Sequence, residues 1–123
     1  MDFEAKLAEL MGINGALAAA IVDSASGMTL ATVGEMRDGG DLDLAAAGTS
    51  EVMRAQQGVL KLLALDDAVE DMLITLGQHY QLIRPLTDDS GTGLFAYLLL
   101  DRQQANLALA RIKLREVEAQ LAI

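Results

Sequence analysis

"EDMLITLGQHYQLIRPL", residues 70–86, divides at Gly77-Gln78 into two runs with a period of two. In the first, Met72, Ile74 and Leu76 alternate with Asp71, Leu73 and Thr75. In the second, Tyr80 and Leu82 alternate with His79, Gln81 and Ile83. Successive strand side chains point to opposite faces, so two such runs about a glycine predict a β-hairpin. "MLITL" is uncharged, β-prone and free of Pro and Lys, which is hazardous at a sheet edge unless another strand covers it. Either it lies centrally in the sheet or a second subunit pairs with it. Pro85, the chain's one proline, falls near the end of the second arm, where a missing N–H costs the ladder least.

The same reading extends in both directions. Phe3, Leu7, Leu10 and Met11 share one helical face ahead of Gly12, which is placed to stop a short amphipathic helix. "ALAAAIVD" and "MTLATVG" flank "SASG", whose Gly27 can take positive φ; the flanking glycines and short length favour a first hairpin over an alanine-rich helix. After the polar loop "EMRDGGD", residues 42–65 show helical spacing on two stripes. Ala45, Val52, Val59 and Leu63 form one; Leu42, Ala46, Met53 and Leu60 form the other. So wide an apolar surface fits either a helix buried in its own domain or one that also contacts something else. Gly48 and Gly58 weaken it by roughly 1 kcal/mol each, so packing must supply its stability.

"TDDSGTG" reads as a turn cluster, and "LFAYLLL", apolar on both faces, as a central covered strand. Leu107, Ala110, Leu114, Val117 and Leu121 mark a last helix, opposite Arg111, Lys113, Arg115, Glu116 and Glu118. Asp101 and Gln104 have the spacing of a capping box for it. The expected fold is α+β, in the order α-β-β-α-β-β-β-α, with helices packed on an antiparallel sheet. No linker or repeat interrupts residues 1–123, which predicts one domain.

Composition bounds the function. Hydrophobic residues make up 52% of the 123, mean hydropathy is +0.30 and aromatics are only 3%, so the core must be aliphatic. A net charge of −9 repels phosphate backbones and anionic lipid, which argues against nucleic acid and a membrane surface as partners. There is no cysteine, hence no disulfide or thiolate metal site. "MDFEAKLAEL" lacks the basic start and apolar run of a secretory signal, and no apolar run is long enough to span a bilayer. A soluble protein of the cytoplasm is expected.

Reactive groups are few. "GINGAL" and "RDGGD" lack the lysine and hydroxyl of a phosphate loop, and no nucleophile elbow occurs. His79, the single histidine, reads as a surface or interface residue rather than a catalytic base. Asp38, Asp41, Asp43 and the pair Asp88, Asp89 do not fit an EF-hand and read as solvated turns. No catalytic residue, cofactor or metal is assigned, and the chain is not expected to be an enzyme.

Four segments, taken together, resemble the roadblock family of dynein light chains and bacterial regulators of Ras-like GTPases. They are "GALAAAIVDSASGMTLATVG", "LDLAAAGTSEVMRAQQ", "VEDMLITLGQHYQLIRPL" and "GLFAYLLLDRQQANLALARIKLREVEAQL". The resemblance runs from about residue 3 to 121 and is most specific at 72–84 and 100–111. It implies a five-stranded antiparallel sheet with helices on both faces, in a roadblock/profilin-like sandwich. It also implies a homodimer in which the strand matching 71–77 pairs with its copy and the helix matching 43–64 packs on its own copy. The expected contact residues are Met72, Leu73, Ile74, Thr75 and Leu76 on the strand. On the helix, Val52, Met53, Gln56 and Leu60 are expected at the homodimer or another partner. The implied function is a regulator or scaffold for a small GTPase, with a GTPase-independent adaptor as the alternative. Arg37, Arg54 and Arg84 are candidates for a hydrolysis-stimulating arginine, with none singled out.

Overall fold

The computed structural model describes residues 3–36, 40–86 and 93–121. The chain begins with helix α1 (Phe3–Ala8), which tightens into a 3-10 turn (Glu9–Gly12). Strands β1 (Ala16–Asp23) and β2 (Thr29–Gly34) follow, then helix α2 (Leu42–Leu62). Strands β3 (Met72–Thr75), β4 (His79–Pro85) and β5 (Leu94–Asp101) lead to helix α3 (Leu107–Ala119). The expected order is the observed one.

The strands form one antiparallel sheet in the order β2-β1-β5-β4-β3. β5 lies at its centre, and Phe95–Leu100 are buried on both faces, as the unbroken apolar run required. One face packs Ala19, Ile21, Leu82, Ala96 and Leu98 against Leu7 and Leu10 of the N-terminal segment and Ala110, Leu114 and Val117 of α3. The other packs Ala20, Val22, Ile83, Phe95, Tyr97 and Leu99 against Ala46 and Met53 of α2. The alanines of β1 therefore serve as spacers that let helices approach both faces closely.

The first hairpin turns at Gly27, with φ 75°, its N–H donating to the Asp23 carbonyl at 2.7 Å. Gly34 is the more constrained position. Its φ is also 75°, and a Cβ there would lie 2.2 Å from the Leu17 carbonyl oxygen. Pro85 sits as expected. The Leu86 N–H donates to Leu94 of β5, so the proline nitrogen points the other way, past the end of β3 at Met72.

Two local expectations are corrected. Gly12 does not terminate α1 as a C′ residue; it ends the 3-10 turn, and Ile13 donates to Leu10 at 3.0 Å. Asp101 does not cap α3. Its side chain accepts from the Gln103 N–H in the turn after β5, and Asn106 caps the helix by accepting from Leu109 at 3.2 Å. α2 is capped by Asp41, which accepts from the N–H groups of Asp43 and Leu44. Its far end closes with Leu65 N–H on the Leu60 carbonyl and Ala64 N–H on the Lys61 carbonyl, a Schellman arrangement. Ala64 therefore occupies the left-handed position, with φ 53°. Ala64→Gly relieves that strain and is expected to stabilise the fold by about 1 kcal/mol, or roughly 4 °C in the thermal midpoint. Scanning calorimetry checks it.

Tyr97 lies under α2, fully buried, its hydroxyl accepting a 2.9 Å bond from Gln81 Nε2. Burial raises the phenol above its ordinary 10.0, and the Gln81 bond opposes this in part. A raised acid favours its neutral form in the fold, so the stability it lends is complete below pH 10.0 and is lost as pH climbs through the folded value. Alkaline unfolding curves of wild type should therefore fall more steeply than those of Tyr97→Phe.

Candidate interaction surface

The hairpin that decides the fold places β3 at the sheet's edge. Met72 pairs with Ile83, Leu73 with Leu82, Ile74 with Gln81 and Thr75 with Tyr80, all on the β4 side. The Leu76 N–H donates to the His79 carbonyl at 2.8 Å, which fixes the alternation. Met72, Ile74 and Leu76 spend their main-chain groups on β4, whereas Leu73 and Thr75 direct theirs outward. Met72, Leu73 and Ile74 are half-buried, while Thr75 and Leu76 are exposed. Of the two placements open from pattern alone, the edge is the one observed.

α2 supplies the second part of the surface. Its buried positions, Ala46, Thr49, Ser50 and Met53, all lie in the first two-thirds of the helix. Ser50 fits that stripe because its Oγ donates to the Ala46 carbonyl at 2.9 Å. Beyond Met53 no residue of the helix is fully buried among the described residues. Val52, Gln56 and Val59 are exposed, Leu60 is half-buried, and Leu62 is 88% exposed. Met53 corrects the expectation: at 1% exposure it belongs to the core under the sheet and does not lie on an open contact surface. Its apolar stripe faces the sheet, and the stripe through Val52 and Val59 faces out.

The helix and the start of β3 share a hollow. Gln56 and Leu60 line one depression of about 490 Å³ with Asp67–Met72, Arg84 and Arg115. Gly58, on the other side of the helix from Gln56 and Leu60, has nothing within 4 Å of where a Cβ would stand.

Behind the edge, arginines hold the hairpin. Arg84 Nε donates to Glu118 Oε1 of α3 at 2.8 Å, their side chains only 11% and 3% exposed. Arg111 of α3 donates Nε and Nη2 to the two Asp71 oxygens, at 3.2 Å each. Arg102 donates to the Leu76 carbonyl at 2.8 Å and lies 5.4 Å from the centre of the Tyr80 ring. Arg84 is thus committed to the fold, and a hydrolysis-stimulating role for it would require breaking its bond to Glu118. Arg54 is exposed and donates to the Ser24 carbonyl at 2.6 Å. Arg37, Asp38, Asp88 and Asp89 lie outside the described residues. Arg102 and Arg111 were not among the sequence candidates, and no local spacing marks them: Arg111 and Asp71 are 40 residues apart.

His79 is half-buried on β4, opposite Asp101 of β5. Among the described residues no three His, Cys, Asp or Glu side chains gather as a metal site. Asp41 caps α2, and Asp43 accepts from the Thr29 hydroxyl at 2.9 Å. No described helix is long and apolar enough to cross a membrane.

No protein-family profile matches the chain, and no curated protein matches it in sequence. Among solved structures, MglB of Myxococcus xanthus superposes with a TM-score of 0.82 at 16% identity, over 98% of this chain and 92% of that one. A Roadblock/LC7 domain from Streptomyces avermitilis gives 0.81 at 14% identity, over 98% and 95%. The chain has the roadblock fold. The gliding protein MglB of Thermus thermophilus shares that fold, with a TM-score of 0.76 at 17% identity over 96% and 87% of the two chains. The roadblock fold accounts for the element order and for a short strand, β3, at the sheet edge.

Proposed function

We propose that residues 1–123 form a single roadblock-type domain acting as a cytoplasmic homodimeric regulator or scaffold. It binds a Ras-like small GTPase and modulates that protein's GTP hydrolysis or localisation. The observation that carries this reading is the open β3 edge, whose first residue, Met72, shares one depression with Gln56 and Leu60 of α2. With a two-fold axis at Ile74, Leu73 of each copy exchanges N–H···O=C bonds with Thr75 of the other, because these are the outward-facing groups. The α2 helices are then brought together through Val52, Gln56 and Leu60, a shared platform for the partner.

The resemblance of residues 3 to 121 to GTPase regulators and the shared fold support the choice of partner. The chain itself has no active site in this reading. Arg84 is held by Glu118, so any stimulation of hydrolysis in this reading comes from ordering the GTPase's own loops or from an arginine other than Arg84. A pull-down of small GTPases encoded beside this protein, loaded with GDP or a GTP analogue, tests the reading. Capture in at least one nucleotide state is expected. Absence of capture in both would leave the GTPase-independent adaptor in its place.

A further inference from the structure

β2 closes the sheet at the side away from β3 and has β1 on one flank only. The Glu35 N–H donates to the Leu17 carbonyl, and Ala31 and Val33 pair with Ile21 and Ala19. By the antiparallel alternation these residues turn their main-chain groups inward, and Thr32 turns its N–H and C=O outward. The strand "TLATVG" carries no charge and no proline, the usual defences of an exposed edge. A bulge at Leu30 disturbs only its start, and Ala31–Gly34 keep a regular register with β1. Exposed apolar side chains border this edge: Met28 at 69%, Leu30 at 49% and Leu44 at 71%. The Thr29–Asp43 hydrogen bond draws the strand and the start of α2 together beside them.

The charges at the two ends of β2 select the occupant. Glu35 stands at one end, Asp41 and Asp43 at the other, and Arg54 is engaged on the Ser24 carbonyl of the neighbouring turn. Arg37 and Asp38, outside the described residues, cancel in formal charge. Antiparallel pairing of β2 with a second copy would set Glu35 of each chain against Asp41 and Asp43 of the other, a like-charge contact. An extended segment with cations at both ends meets the acids favourably. We propose that the outer edge of β2 takes up an extended, basic, β-branched protein segment as a sixth strand, main-chain bonds to Thr32 supplying affinity and the flanking acids supplying selectivity.

The probe is a short peptide of alternating valine and threonine with arginines at both ends, compared with its glutamate-ended counterpart. Amide hydrogen exchange by NMR reads the contact. The basic peptide should slow exchange at Thr32 while leaving Ala31 and Val33, already bonded to β1, unchanged; the acidic peptide should do neither. Thr32→Pro deletes the outward N–H without removing a bond to β1, and Glu35→Lys inverts one flanking charge. Each is expected to weaken binding by roughly tenfold, about 1.4 kcal/mol. The two variants act through different groups, so a folding defect in one leaves the other informative. Binding that leaves Thr32 exchange unchanged, equal uptake of both peptides, or no binding of the basic peptide to the folded wild type overturns the proposal.

Discussion

Glu118→Ala is expected to lower stability by about 3–5 kcal/mol, because it strands the nearly buried Arg84 guanidinium without its carboxylate. That is a large share of the roughly 5–15 kcal/mol by which domains are stable. The loss is mostly the cost of an uncompensated charge, so Glu118→Gln, which keeps an acceptor for Nε, should lose less. Arg111→Ala removes a partly exposed pair and should cost about 1 kcal/mol or less. Denaturant unfolding at one fixed protein concentration gives all three values. A Glu118→Ala loss below 1 kcal/mol would mean that Arg84 finds water or another acceptor, and that α3 is not locked to the β3–β4 hairpin by this pair.

Ile74→Lys should convert the proposed dimer to a monomer, weakening association by about a hundredfold or more, since the two-fold axis sets one lysine opposite the other. Ile74 is half-buried against its own core, so part of any loss could come from within the subunit. Thr75→Pro separates the two effects. Its nitrogen faces outward, so proline removes a bond to the other copy and none to β4. A third variant uses the absence of cysteine from the chain. Ile74→Cys should form an intermolecular disulfide on mild oxidation, because Cα atoms of a directly opposed, non-hydrogen-bonded pair stand about 4.5 Å apart. Leu73→Cys should not, its copy lying diagonally across the axis.

Much of this surface is readable in the sequence. The period of two on either side of Gly77 gave the hairpin, and "LFAYLLL" gave the centre of the sheet. The alternatives at "MLITL" could not be separated by pattern, because edge and central strands differ in what lies beside them rather than in their own alternation. The stripes of α2 were correctly spaced, yet their orientation depended on Thr49 and Ser50. These polar residues are buried toward the sheet, Ser50 with its hydroxyl satisfied on its own helix, so an apolar count passes over them and does not say which stripe faces the sheet; the contact role for Met53 came from the family resemblance instead. The capping signal at Asp101 failed for a related reason. Asp101 and Asn106 both offer a side-chain acceptor, and the turn after β5 claimed the first. The roles of Arg84, Arg102 and Arg111 depend on contacts made only once α3 and the turn before it lie against the β3–β4 hairpin.

The mass of the wild-type protein by light scattering at micromolar concentration tests the central claim most directly. A homodimer closed across β3 and α2 predicts twice the 13.0 kDa chain mass, and a particle of 13.0 kDa would contradict it.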